Sequence, residues 1–247
     1  MTDGSAEGAG DGTPARRPTL RERRPSGSAM RFDDAEPVTF VLVRHGETAA
    51  TVARSLSGSG VPGPGLSAAG RVQAARAADL VFRIGRAHWT DLPHPDAVVS
   101  SPMVRTRETA TIIGRRLGAQ VRADRRAQEC DFGAWEGLTP DEVDAASPGT
   151  FRAWHLDPAV RAPGGESLED VGERMTALLA ELTPDNLGHS IVVVSHVMAI
   201  RTALGRLLQA PPSAWRGIRI PPASLTIVRR WADGTVELVC AGTPSDL

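Results

Sequence analysis

Two short apolar runs rich in β-branched residues, Val38–Val43 and Ile191–Val194, each hand over to a histidine. The first ends in Arg44-His45-Gly46 and the second in Ser195-His196. Strands buried on both faces read as continuous apolar runs of this length. In open α/β sheets, ligands bind beyond the C-terminal ends of such strands. Both histidines are therefore expected at the functional edge of a sheet, with Gly46 letting the backbone pass close to a ligand.

The intervening chain alternates helical and strand patterns. Ala49 to Gly65, with four glycines and two prolines, reads as a loop and as a wall of the site. Ser67 is a plausible N-cap for a helix in which Val72, Ala75, Leu80 and Val81 fall near the helical period. Asp96–Ser100 reads as a second strand, and Ser101-Pro102 as a helix start with the proline at the first helical position. That helix runs to Leu117 and carries Arg105 in its first turn, so a second strand end meets a helix N-terminus, a natural anion site. Gln120–Ala123 suits a brief edge strand. Short helices are expected near 140–146 and 148–155. Glu166-Ser167 opens a helix to about Leu182, whose Leu168, Val171, Met175, Leu178, Leu179 and Leu182 keep the spacing of a buried face. A further helix follows His196 and runs to Leu208. The stretches 223–231 and 236–241, joined through Asp233-Gly234, form a hairpin that closes the sheet with antiparallel strands.

The 247 residues suffice for one sizeable α/β domain. Residues 1–37 are rich in Gly, Ala, Ser, Pro, Asp and Arg and have almost nothing to bury, so they are expected to be a disordered tail, with the domain at 38–247. A formal net charge of −1 gives no bias toward nucleic acid or membrane. All 28 basic residues are arginine, a side chain suited to bidentate phosphate binding. Cys130 and Cys240 make neither a disulfide framework nor a metal-ligand spacing. With no transmembrane-length apolar run and no signal-peptide core, a soluble, cytoplasmic protein is expected. The hairpin edge leaves room for a homodimer without deciding it.

If the strand ends neighbour one another, His45, His196, Arg44 and Arg105 converge on one crevice, and the acidic loop Glu129–Gly137 supplies Glu129. Such a positive site suits a dianion, phosphate above all. A neutral imidazole attacks phosphorus once cations draw charge from the phosphoryl oxygens, and a carboxylic acid can protonate the leaving alkoxide. With no metal-ligand cluster in the sequence, the arginines carry the electrostatic work, and neither metal nor cofactor is expected.

At this point the sequence resembles the histidine phosphatase superfamily, in its phosphoglycerate mutase-like branch, over residues 38–241. The markers stand in order: Arg44-His45-Gly46-Glu47-Thr48; Leu66, Ser67 and Gly70; Ser100, Ser101, Arg105, Thr109 and Ala110; Glu129, Gly133, Trp135, Glu136 and Gly137; Pro163–Ser167; and Val194-Ser195-His196. The resemblance implies a three-layer α/β/α fold with a mostly parallel central sheet. It implies His45 as the nucleophile that becomes phosphohistidine, and Arg44, Arg105 and His196 as phosphoryl-binding groups. Glu129 is implied as the acid toward the leaving oxygen and then the base for water, acting on a small phosphomonoester.

The departures bear on substrate. Thr51 stands where many members have asparagine, Ser55-Leu56-Ser57-Gly58 where Arg-x-Gln-Gly is usual, and Val197 where glycine is frequent. Thr51, Ser57 and Val197 are therefore expected to line a substrate wall unlike that of the mutases. A hydrolase is the main expectation. A phosphoryl-transferring mutase, or the same pocket turned to other biosynthetic chemistry or to phosphate-ligand binding, is the alternative.

Overall fold

The computed structural model describes residue 1 and residues 36–246. The expectation of a disordered tail at 1–37 falls, apart from residues 1, 36 and 37, outside the described residues. In chain order the elements are β1 (Val38–Arg44), α1 (Ala49–Ala53), α2 (Ala68–Arg83), β2 (Pro95–Ser100), α3 (Val104–Leu117) and β3 (Val121–Ala123). There follow α4 (Pro140–Ala146), α5 (Thr150–Leu156), α6 (Leu168–Leu182), β4 (Ser190–Ser195), α7 (Val197–Leu207), α8 (Pro212–Trp215), β5 (Leu225–Arg230) and β6 (Val236–Thr243).

The six strands form one sheet in the order β3-β2-β4-β1-β5-β6. The first four are mutually parallel, β5 is antiparallel to β1, and β6 is antiparallel to β5. The register of β1 on β4 sets Arg44 opposite Ser195. His45 and His196, each the next residue, therefore leave adjacent strands at the same level.

Strand alternation separates the core into two layers. Val38, Phe40 and Leu42 face Met175, Leu178 and Leu179 of α6 and Ile200, Ala203 and Leu204 of α7. Val41 and Val43 face the opposite way, onto Ala77, Leu80 and Val81 of α2 and Ala110 and Ile113 of α3. This is the expected α/β/α arrangement, with a mostly parallel sheet and an antiparallel edge. A third cluster, built on Phe132, Trp135, Trp154, Met198 and Trp215, packs around the loop that carries Glu129.

Local departures from the sequence reading have local causes. Ala49–Gly65 is not all loop: Thr48 caps α1 through a reciprocal box with Thr51, and the helix ends after one turn at Arg54, which is left-handed at φ 57°. In α2 the buried face is Gly70, Ala74, Ala77, Ala78, Leu80 and Val81, while Val72 and Ala75 point outward. Small residues are needed there because the helix start lies against the loop that follows β1. A Cβ on Gly70 would come within 2.1 Å of Glu47 O, and one on Gly46 within 2.3 Å of Gly70 O. Pro102 is not the first helical residue, since α3 begins at Val104. Ser101 instead accepts from Met103 N–H and, through its carbonyl, from the Thr106 hydroxyl. The four-residue α8 has no pattern that periodicity can register.

The cap of α6 is testable. Ser167 Oγ accepts from Asp170 N–H at 3.1 Å while the Asp170 carboxylate accepts from Ser167 N–H at 2.8 Å. Ser167→Ala is expected to lower unfolding free energy by about 1 kcal/mol, read by denaturant titration. A change within a few tenths would show that this box does not hold the helix.

Candidate active site

His45 extends β1 by one residue. Its N–H donates to Ser195 O at 3.0 Å, and its carbonyl accepts from Ala223 N–H at 3.1 Å. The ring is only 5% exposed, and Nδ1 lies 2.7 Å from Gly46 O. A carbonyl oxygen only accepts, so the proton sits on Nδ1 and Nε2 keeps its lone pair. Burial, followed by the charges of Arg105 and Arg44, pushes the His45 pKa well below the ordinary histidine value. The imidazole is therefore held neutral.

His196 is fully buried. Its ring lies edge-on to that of His45 at 5.1 Å between centroids. Nε2 is 2.9 Å from Ser101 Oγ, while Nδ1 is buried with no hydrogen-bond partner. Its pKa is likewise pushed well down, by burial first and then by Arg105 and His45. The structure thus sets His196 against the ring of His45, and it does not line the cavity itself.

The two expected cations share one design. Arg44 Nη1 donates to Ile220 O at 2.7 Å and Arg105 Nη2 donates to Ser57 O at 2.8 Å. Arg44 Nε and Arg105 Nη1 are buried without a partner. Such orphaned N–H groups are rare in folded proteins, and both of these arginines border the same cavity as His45. Burial pushes Arg44 down to about 10 and also lowers Arg105, against the opposing pull of Glu129. Both remain charged at neutral pH.

Glu129 is 3% exposed. Its Oε1 accepts from Cys130 N–H at 2.9 Å and from Met198 N–H, in the first turn of α7, at 3.2 Å. The carboxylate thus sits on the positive end of that helix. Neighbouring Cys130 is a buried filler whose thiol pKa is raised by burial.

The cavity joining these groups is about 100 Å³ and is lined by Arg44, His45, Arg105 and Glu129 together with Thr51, Ser57 and Val197. Every expected site residue except His196 is therefore on its wall. Two of the wall residues act less directly than expected. The Thr51 hydroxyl is engaged with Thr48, accepting from its N–H at 3.3 Å and lying 3.1 Å from its hydroxyl. Ser57 contributes its carbonyl to Arg105. Glu136 holds this loop, both carboxylate oxygens lying 2.9 Å from Gly58 N. Glu47 accepts from the Ser67 hydroxyl at 2.8 Å. Sequence reasoning missed Phe132 and Met198, which line the cavity, and the half-buried Arg201, whose Nε donates to Ile218 O at 3.1 Å. Arg201 lies one helical turn beyond Val197, a spacing that could have pointed to it. Among the described residues no three His, Cys, Asp or Glu side chains gather as a metal site, and no helix is long and apolar enough to cross a membrane.

Comparison with known proteins gives one consistent answer. Residues 40–241 match the model of the histidine phosphatase superfamily, branch 1. A glucosyl-3-phosphoglycerate phosphatase of Mycobacterium tuberculosis is 34% identical over 206 residues, 79% of this chain and 87% of that protein. The Mycobacterium tuberculosis protein named Bifunctional protein Rv2228c is 34% identical over 241 residues, covering 97% of this chain. The chain spans only 63% of the length of that relative. Among solved structures, mycobacterial glucosyl-3-phosphoglycerate phosphatase in complex with VO3 superposes with a TM-score of 0.72 at 31% identity, over 83% of this chain and 99% of that one. From its ordered sequence markers, its sheet topology and these matches, the chain belongs to branch 1 of the histidine phosphatase superfamily.

Proposed function

We propose that the domain is a metal-independent phosphatase that hydrolyses a small phosphomonoester through a phosphohistidine. The observation that carries this reading is the state of His45. Its Nδ1 proton is committed to Gly46 O, so Nε2 presents a lone pair to a cavity in which two arginines hold unpartnered N–H groups.

In the first step His45 Nε2 attacks phosphorus, the P–O bond to the alcohol breaks, and Glu129 as the acid gives its proton to the leaving oxygen. Arg44 and Arg105 direct their free N–H groups at the phosphoryl oxygens and stabilise the charge that develops there. His196 does not line the cavity; edge-on to the His45 ring with its Nδ1 unpartnered, it adds a further donor only to a phosphoryl group already seated on that ring. In the second step water attacks the phosphohistidine, the Glu129 carboxylate takes its proton, phosphate departs, and His45 returns to its neutral form.

A cavity of about 100 Å³ is well below the usual several hundred Å³ of a small-molecule site. It suits the phosphoryl group, with the alcohol portion lying toward the mouth. The wall at Thr51, Ser55 and Ser57 carries no cation to retain a phosphorylated intermediate product, which favours water over a second alcohol as acceptor. Phosphatase relatives support the same reaction class. Two free cysteines, one buried, fit a reducing compartment, and we place the activity in the cytoplasm.

The test is release of phosphate from 4-nitrophenyl phosphate and from a panel of sugar, glycerate, serine and nucleotide phosphates, with chelator present. Turnover is expected to resist chelator and to fall by at least about 10³-fold in His45→Ala. Turnover that persists in His45→Ala, or that chelator abolishes, overturns the mechanism. Arg105→Met, which removes the orphaned N–H, is expected to lower kcat about 10²- to 10³-fold.

The depressed histidines set two pH dependences. Because His45 stays unprotonated through the ordinary histidine range, kcat/KM is expected to hold as pH falls through 6.5 and to drop only at lower pH. Stability behaves differently. In the unfolded chain both histidines titrate near 6.5, while in the folded chain His45 and His196 titrate well below that value. Below the unfolded value the unfolded state binds more protons. The contribution of the neutral, buried pair is thus present above it and lost as pH falls toward the folded values. Unfolding free energy is expected to decline below pH 6.5 by up to about 1.4 kcal/mol per pH unit for each histidine, and less steeply in His45→Asn. A stability that is flat from pH 7 to 5 in the native protein would show that these rings are not held neutral.

A further inference from the structure

The side chain of Glu129 is only as well placed as its backbone, and that backbone is clamped from one side. Arg174 of α6 donates from Nη1 to Arg126 O at 2.8 Å and to Gln128 O at 2.7 Å, and from Nη2 to Glu129 O at 2.8 Å. Its Nε and Nη2 also donate to the two oxygens of Glu166, at 2.8 and 2.9 Å. The guanidinium has five N–H donors, and all five are engaged. Glu166 in turn accepts from Asp131 N–H through Oε2 at 2.9 Å, and its own N–H donates to Asp131 O at 2.8 Å. The pair thus grips the chain immediately before Glu129, at Glu129, and two residues after it.

The glycines preceding Glu166 make that grip possible. A Cβ on Gly165 would lie 2.3 Å from Asp131 O, and one on Gly133 would lie 2.2 Å from Pro163 O. The turn Pro163–Gly165 and the acid loop therefore meet backbone to backbone. Neither Glu166 nor Arg174 reaches the cavity, and their side chains are 24% and 18% exposed. A pair this sheltered, bidentate and shared with four backbone groups is unlike an ordinary surface ion pair, whose worth is small.

We propose that Glu166 and Arg174 are positioning residues for proton transfer, fixing the Glu129 carboxylate where it meets first the leaving oxygen and then the attacking water. The proposal rests on the phosphohistidine reading above. It follows from the steepness of proton transfer with geometry, since a displacement of about 1 Å from the productive position lowers rate on the order of 10²-fold. Lysine, with three donors on a flexible stem, cannot reproduce the five-bond fork.

The test separates the two chemical steps. Nitrophenolate leaves phosphorus without needing a proton, so formation of phosphohistidine from 4-nitrophenyl phosphate depends little on Glu129. Its hydrolysis still requires Glu129 as base. Rapid mixing of the native protein, Arg174→Lys and Glu166→Gln with 4-nitrophenyl phosphate gives a burst rate and a steady rate, and the burst amplitude counts folded, competent sites. In both variants the ratio of burst rate to steady rate is expected to rise at least about tenfold over native, with glycerol phosphate turnover falling about 10- to 100-fold. A purely structural role lowers the amplitude, or both rates together, and leaves the ratio at its native value; that outcome overturns the proposal, as does no change in either rate. Failure of the underlying reading has a different signature: native protein with no burst, and steady turnover unaffected by His45→Ala.

Discussion

The parallel pairing of β1 with β4 is the constraint on which the site depends. With Arg44 opposite Ser195, the two chain segments that follow must begin side by side, and each begins with a histidine. A slip of one residue would turn every side chain of a strand to the other face. Here it would exchange Val41 and Val43 with Phe40 and Leu42 between the two helical layers. The core therefore fixes the register, and the register fixes the 5.1 Å separation of the two rings. Ala223 N–H on the carbonyl of His45 ties the third neighbour, the approach to β5, to the same point. His45 is held by backbone on both sides before any side chain acts on it.

Placing a neutral base among cations then follows from burial. An exposed histidine beside two arginines would gain little, because water screens the charges. At 5% exposure the cost of solvating an imidazolium is steep, and the nearby guanidiniums add to it, so the ring stays a lone-pair donor. The same burial shields from solvent the arginine N–H groups that lack a partner. Glu129, whose carboxylate accepts from Met198 N–H in the first turn of α7, balances this field. The site thus combines a neutral imidazole, fixed cations and one carboxylate, arranged by one sheet edge and the helix starts beside it.

Much of this was legible in the sequence because the physics is local. An apolar run that stops at a charged residue marks a strand end; Glu166-Ser167 before a run of helical spacing marks a helix start; alternation about Asp233-Gly234 marks the hairpin. The elements that escaped are those decided by partners far along the chain. Val72 looked like a core residue by periodicity, yet α2 buries its glycine and alanines because Glu47 O lies 2.1 Å from where a Gly70 Cβ would stand. Pro102 looked like the first residue of a helix, yet Ser101 turns instead to hold His196 and the start of α3. Met198 carries no signal in its own neighbourhood. It enters the site because the turn into α7 sets its N–H on Glu129 and its side chain on the cavity wall. Thr51 is the reverse case: its position was readable, but its hydroxyl is engaged in a helix cap that only the folded backbone reveals.

The arginines show why a side-chain type, and not merely a charge, is needed at each of these points. Arg44, Arg105 and Arg201 each spend one N–H on a backbone carbonyl, of Ile220, Ser57 and Ile218 respectively. For Arg44 and Arg105 this leaves another N–H of the same rigid plane buried and unpartnered, its direction already set by the first bond. An ammonium on a flexible stem has no such coupling between one donor and the next. Arg174 carries the principle to its limit, with every donor committed to protein and none left for a ligand. The division of labour follows directly. An arginine with a donor to spare faces the cavity, and one without belongs to the scaffold that holds the loop of Glu129.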